Sequence, residues 1–236
     1  MPKRYWYIAL TYLLMHLSGL VGLPVLIKQF YLTLDEAIIY WNIISFFVAT
    51  VIILYLLRKD MALGSDRNAA PASQVVLWSI LGVFLSLISQ VIAGLIEVNV
   101  LGIEAGSENT AQIMELARSI PLFVIVPTIL APILEEIVFR KVIFGEIYKR
   151  SNFVLAALLS SLIFGIIHGE PQHLLIYSSM GFVFAFLYVR TKRIIVPIIA
   201  HAAMNSITVY LQFSIDPEEL EKMRQQLEEM MIFIGY

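Results

Sequence analysis

The chain contains no cysteine and few charges. Of its 236 residues, 14% are Asp, Glu, Lys or Arg, against about 25% in soluble domains. The missing cysteines exclude disulfides, thiolate metal sites and cysteine nucleophiles together. A formal net charge of −2 offers no basic surface, so no nucleic-acid partner is expected. No internal repeat and no low-complexity tract interrupts the sequence. What fills the chain is apolar: 59% of residues are hydrophobic and the mean hydropathy is +0.83, where soluble domains run near ~45–50% apolar. The composition is that of a polytopic membrane protein, with membrane lipid as solvent and partner.

A spanning helix needs about 20 largely apolar residues. Seven segments qualify, at roughly 5–27, 37–57, 74–96, 120–147, 153–169, 172–190 and 194–213. Lys3 and Arg4 precede the first, whose apolar run is too long for the ~7–15 residues of a signal-peptide core, so it reads as a retained span. The fourth carries Pro121, Pro127 and Pro132 in its first half, which remove backbone donors and predict a kink. Between the third and fourth spans, 97–119 is polar, and Ser107 is placed to cap a short interfacial helix. Beyond the seventh span, Asp216-Pro217-Glu218-Glu219 opens an amphipathic helix, with Leu220, Met223, Leu227, Met230 and Met231 at helical spacing. The expected architecture is all-α. It is a single membrane domain over 1–236, with about seven to eight transmembrane helices and an amphipathic tail at 214–236.

Loop charge alternates in sign. Lys3 and Arg4, then Arg58, Lys59 and Arg67, then Lys141, Lys149 and Arg150, then Arg190, Lys192 and Arg193 fall on one side. Asp35 and Glu36, then Glu97, Glu104 and Glu108, then Glu170 fall on the other. The excess of Lys and Arg places the N-terminus in the cytoplasm and the end of the seventh span outside. Lys28 and Arg118 are exceptions to this alternation.

Against this apolar background, charge inside a span is conspicuous. Pro132-Ile-Leu-Glu-Glu-Ile-Val-Phe-Arg-Lys141 puts Glu135, Glu136 and Arg140 at membrane depth, where each charge costs roughly 2.5–3.5 kcal/mol. Glu136 and Arg140 are four apart and share a helical face. Glu135 is turned about 100° away and is the freer carboxylate. A purely structural ion pair would need no second carboxylate. The fifth span ends Phe164-Gly165-Ile166-Ile167-His168, with His168 one turn after Phe164; Gly165 and Gly169 permit close approach of a neighbouring helix or substrate. The seventh carries His201-Ala-Ala-Met-Asn205, two polar groups on one face. His16 and Glu97 are the other main ionisable residues in the spans. His173, after Glu170-Pro171, reads as interfacial. A glutamate and a histidine can share one water, the carboxylate taking its proton, and a second histidine with an asparagine can donate to the oxyanion that forms. These are the parts of an amide hydrolase without a covalent nucleophile. A transporter with titrating carboxylates is a weaker reading, since no inverted repeat is evident.

Glu-Glu-x-x-x-Arg at 135–140, Phe-x-x-x-His at 164–168 and His-x-x-x-Asn at 201–205, in this order and each on an apolar helix, resemble the CPBP intramembrane proteases. That group, also called Abi, includes the type II CAAX prenyl endopeptidases and bacteriocin-immunity proteins. The resemblance covers 135–205 and makes 120–213 the catalytic core. It implies that Glu135 is the general base, assisted by His168, that His201 and Asn205 form the oxyanion hole, and that Glu136, Arg140 and Phe164 support the site. The activity it implies is endoproteolysis of a membrane-associated peptide or membrane-protein substrate in a bacterial cytoplasmic membrane, with no cofactor. Two alternatives stand beside it: a non-catalytic immunity or regulatory protein of the same group, and a zinc site at Glu135, His168 and His201.

Overall fold

The structure, a computed structural model, describes residues 1–62 and 68–214 together with Lys222, Gln225 and Gln226. The amphipathic tail expected at 214–236 lies outside the described residues apart from Ser214 and those three positions. All secondary structure among the described residues is helical: α1 (Lys3–Leu17), α2 (Gly19–Phe30), α3 (Leu34–Ala62), α4 (Ala72–Asn99), α5 (Glu108–Ser119), α6 (Pro121–Tyr148), α7 (Phe153–Ile167), α8 (Leu174–Thr191) and α9 (Ile195–Ser214).

Five of these, α3, α4, α6, α8 and α9, are long and apolar enough to cross a membrane. The first expected span is two helices, α1 and α2, bent by 41° and making a sixth span if taken together. Ser18 marks the break. Its hydroxyl donates to Met15 O at 2.6 Å and accepts the Trp41 indole N–H at 3.0 Å, tying the bend to α3. The expected fifth span is α7, an apolar helix of 15 residues. At about 1.5 Å per residue that is some 22 Å, short of a 30 Å hydrocarbon core. Among the described residues the count by length is therefore five to six, with α7 as a shorter apolar helix; the expected seven to eight is not confirmed.

Local chemistry sets the helix starts. Thr33 and Glu36 form a reciprocal capping box before α3, with Glu36 N–H donating to Thr33 Oγ1 and Thr33 N–H donating to the Glu36 carboxylate. Ser107 caps α5 as expected, accepting Thr110 N–H at 3.0 Å. Asn152 caps α7 through Leu155 N–H. Gly169 ends α7 at φ +76°, in the left-handed region that glycine tolerates.

Helix α6 lies at the centre. More than half of it is buried inside the bundle, a larger share than in any other span, and it touches α1, α3, α7, α8 and α9. The remaining helices pack around it in pairs: α7 with α8, α4 with α8 and α9, and α3 with α1 and α2. Gly82 is where α4 comes closest to its neighbours. A Cβ there would sit 2.6 Å from Leu187 Cδ1 and 2.8 Å from Ala200 Cβ. Gly165 likewise receives Leu174 and Ser178 of α8, the close helix approach its size predicts.

Polar groups at one end join α4, α5 and α8. Glu97, nearly fully buried, accepts Ile176 N–H at 3.1 Å and contacts His173 Nδ1 at 2.8 Å, while His173 Nε2 donates to Gly106 O at 2.7 Å. His173 is only 6% exposed, enclosed by these bonds to Glu97 and Gly106. Next to this pair, Glu170 accepts Ser107 Oγ, Asn109 N–H and the Tyr177 hydroxyl. Arg118, an exception in the loop-charge pattern, donates to Gln212 O at 2.8 Å and so caps the last turn of α9.

Two outcomes follow from this packing. Gly82→Val places a branched side chain against Leu187 and Ala200, and overpacking of this kind costs about 1–3 kcal/mol; a thermal melt in lipid nanodiscs should show a clear drop, and an unchanged melting temperature would contradict the close contact. Burial pushes the Glu170 carboxyl up, but the hydrogen bonds from Tyr177, Asn109 and Ser107 outweigh it and hold the carboxyl below its usual range. A depressed folded-state pKa stabilises above the ordinary carboxylate value of about 4.3 and is lost as pH falls through the lowered one. Protection of the α5 amides against exchange, relative to their intrinsic rates, should therefore fall as the pH drops below the ordinary carboxylate value, and Glu170→Gln should flatten that dependence.

Candidate active site

Helix α6 is not regular. It opens with a 3₁₀ turn at Pro121–Val124, widens to π-type turns at Val126–Leu130, returns to α at Ala131–Glu135, and widens again at Glu136–Phe144. Such wide turns free backbone groups and re-aim side chains. Ala131 N–H reaches back five residues to Val126 O. By the same pattern Pro127 O would take the N–H of residue 132, which is proline and has none. The Asn205 side chain supplies the missing donor, Nδ2 to Pro127 O at 2.9 Å. Asn205 is thereby fixed on α9 with one of its two amide hydrogens committed and the other uncommitted to that bond.

The second wide stretch begins at the paired carboxylates. Glu136 and Arg140 are each fully buried, with Arg140 Nε 3.1 Å from Glu136 Oε2. The other Glu136 oxygen meets His201 Nδ1 at 2.9 Å. The expected Glu136–Arg140 pairing is therefore present, and a histidine from α9 completes it. The rest of the guanidinium lies against rings, its Cζ 4.7 Å from the Phe164 centroid and 5.7 Å from that of Phe184. Phe184 also stacks on His201, with centroids 4.6 Å apart and planes 18° apart. Phe164 thus supports the cluster through aromatic faces that accept the cation without hydrogen-bonding it.

Glu135 is differently placed. Its side chain keeps 14% of its surface, and Oε2 lies 3.8 Å from His201 Nε2, beyond hydrogen-bond length. The two glutamates thus face the two nitrogens of one imidazole, although adjacent residues on a regular α-helix diverge by about 100°. His201 entering between them and the wide turn starting at Glu136 make this possible.

His168, just after α7, joins through aromatic contact rather than through a carboxylate. Its Nδ1 is 2.8 Å from Phe164 O. A carbonyl only accepts, so Nδ1 carries the hydrogen and neutral His168 presents a bare Nε2 lone pair. Phe164 touches both histidines, at 4.5 Å to His168 and 6.0 Å to His201. The structure accordingly gathers Glu135, Glu136, Arg140 and His201 directly, His168 through Phe164, and Asn205 through α6 backbone. His16 also belongs to this neighbourhood: it packs edge-on to Tyr12 and Phe46 and lies within electrostatic reach of Glu135 and His168. Nothing in its own sequence context marks that, since α1 carries no motif.

The zinc reading requires three ligands converging on one point. Among the described residues, no group of three or more His, Asp or Glu side chains is so gathered. His201 Nδ1 is held by Glu136 and His168 Nδ1 by a carbonyl, which leaves the Nε2 atoms of the two rings as the nitrogens a metal would have to meet.

Residues 117–207 match the model of the type II CAAX prenyl endopeptidase Rce1-like family. That stretch contains all of the motif residues. The chain is 45% identical over its whole length, and over 98% of the relative's, to "Putative membrane peptidase YdiL" of Bacillus subtilis (strain 168). It is 34% identical to "Membrane-embedded CAAX protease MroQ" of Staphylococcus aureus (strain USA300), over 94% of this chain and 95% of that one. A shorter match, 35% over 78 residues, is to "UPF0177 protein YxdF" of Lactococcus lactis. No solved structure matches significantly. A multi-pass helical bundle whose Glu135, Glu136, Arg140, His168, His201 and Asn205 fall within the matched region, and whose full length aligns with relatives named as a putative membrane peptidase and a CAAX protease, belongs to the type II CAAX prenyl endopeptidase Rce1-like family.

Proposed function

We propose that the chain is an intramembrane endopeptidase of the glutamic type, which hydrolyses a peptide bond of a membrane-associated peptide or membrane protein with water activated at Glu135. The observation that carries this reading is the asymmetry of the glutamates. Glu136 is sealed between Arg140 and His201, while Glu135 keeps accessible surface and faces the second nitrogen of the same histidine. One carboxylate is spent on holding the site and the other is available to a reactant.

In this mechanism Glu135 takes a proton from water, aided by the Nε2 lone pair of His168, and the resulting hydroxide adds to the scissile carbonyl carbon. The oxyanion accepts hydrogen bonds from the second amide hydrogen of Asn205 and from His201 Nε2–H, the imidazole carrying a hydrogen on each nitrogen for this step. Collapse breaks the C–N bond, and the proton held at Glu135 passes to the departing amine, leaving a new carboxyl and a new amino terminus. Glu136 keeps His201 oriented through Nδ1, as a carboxylate does for a catalytic imidazole. The whole-length similarity to "Membrane-embedded CAAX protease MroQ" supports a membrane-bound polypeptide as the substrate. The bacterial relatives and the loop-charge pattern support a cytoplasmic membrane with the N-terminus inside.

Two variants separate catalysis from support. Glu135→Gln nearly preserves shape and removes the base. Cleavage should fall by about 10²–10⁴-fold with an unchanged melting temperature, and uncut substrates should accumulate in cells carrying it. Undiminished processing would favour a non-catalytic binding protein. Arg140→Ala strands Glu136 in the interior, and removal of one buried partner costs about 3–5 kcal/mol. This variant should lose folded protein, which size-exclusion recovery from membranes would detect; a fully stable protein would contradict the pairing.

A further inference from the structure

His168 stands at the end of α7, where Gly169 turns the chain away. Its single hydrogen bond, Nδ1–H to Phe164 O, fixes one nitrogen but lets the ring swing about the Nδ1···O line. Nε2 lies off that line, so a swing moves the lone pair. Two other rings restrain the plane. Phe164 presents an edge at 4.5 Å and 65°. Tyr177, from the first turn of α8, stacks nearly parallel at 4.1 Å and 25°.

Tyr177 is itself tied down. It is 9% exposed, its hydroxyl donates to Glu170, and the Ser107 hydroxyl lies 3.4 Å away. Glu170 in turn holds the N-terminus of α5 through Ser107 Oγ and Asn109 N–H. A tyrosine that only filled space would need neither the parallel ring nor an anchored hydroxyl. Its two ends serve different partners: the ring meets His168, and the oxygen meets the polar network outside the catalytic cluster.

We propose that Tyr177 is a positioning residue for His168, holding the imidazole plane by face-to-face stacking so that Nε2 stays aimed at the water shared with Glu135. The proposal rests on the hydrolase reading for its consequence in rate, and on geometry alone for its effect on His168.

The test uses the full chain labelled with [¹⁵N]histidine in phosphatidylglycerol/phosphatidylethanolamine nanodiscs. Only four histidines are present, and His168→Gln assigns the resonance of interest. Wild-type His168 should show one tautomer, with a protonated Nδ1 and a bare Nε2. In Tyr177→Leu the two nitrogens should average toward each other. Initial cleavage of a membrane-protein substrate accumulated in Glu135→Gln cells should fall by about 10- to 100-fold, as misplacement of a reacting group by an ångström does. Tyr177→Phe, which keeps the ring, should restore the wild-type signature. If Tyr177→Leu does not fold, Tyr177→Met, closer in length to the original, is read in the same way. A wild-type His168 signature in the leucine or methionine variant overturns the proposal, and so does its complete loss in Tyr177→Phe. Wild-type protein that cleaves nothing refutes the hydrolase reading instead, and the ¹⁵N signatures still decide whether Tyr177 holds His168.

Discussion

Glu136 is partnered on both sides in the middle of the bundle, by an ion pair to Arg140 one turn along its own helix and by a hydrogen bond to His201 from α9. Neither ion could remain there alone, because an isolated buried charge costs several kcal/mol. The contact therefore fixes more than a pair of side chains. It sets the distance between α6 and α9, and it requires Phe164 from α7 and Phe184 from α8 to close over the guanidinium. Four helices are brought to one point by a charge that none of them could bury separately.

Glu135 gains its position from the same contact. With Glu136 committed, His201 is oriented, and its outer nitrogen faces the neighbouring carboxylate. The site thus has a sealed side, at Glu136, and an open side, at Glu135, to which the proposed mechanism assigns the reaction. The prolines of α6 extend this logic to the backbone. Pro132 leaves Pro127 O without a helical donor, and Asn205 fills the gap, so an irregularity in one helix locates a polar side chain on another. Farther out, Glu97 with His173 and Glu170 with Tyr177 form a second polar layer. Carboxylates accept backbone N–H groups at the starts of α5 and α8 there, where the helix dipole favours negative charge.

The all-helical membrane architecture was legible in composition and run length, because a bilayer demands long apolar segments with internally satisfied backbones. The Ser107 cap and the Glu136–Arg140 pair were legible too, since both are local and follow from spacing along one helix. The number of spans was less so: hydropathy sums over a window and cannot see the bend at Ser18, nor that α7 stops at Ile167. The burial of His173 was not legible, because its partners, Glu97 and Gly106, are 76 and 67 residues away.

By itself, then, the sequence determined which residues carry charge into the membrane, that they fall on separate apolar helices, and how each motif is spaced, all of which depend on neighbours within a few turns. Tertiary structure alone decided that His201 would meet both glutamates, that Asn205 would answer a proline on α6, and that Tyr177 would stack on His168. Each of these contacts joins different helices, and the distance between helices is set by how their faces pack, at positions such as Gly82 and Gly165, rather than by any pattern along a single one.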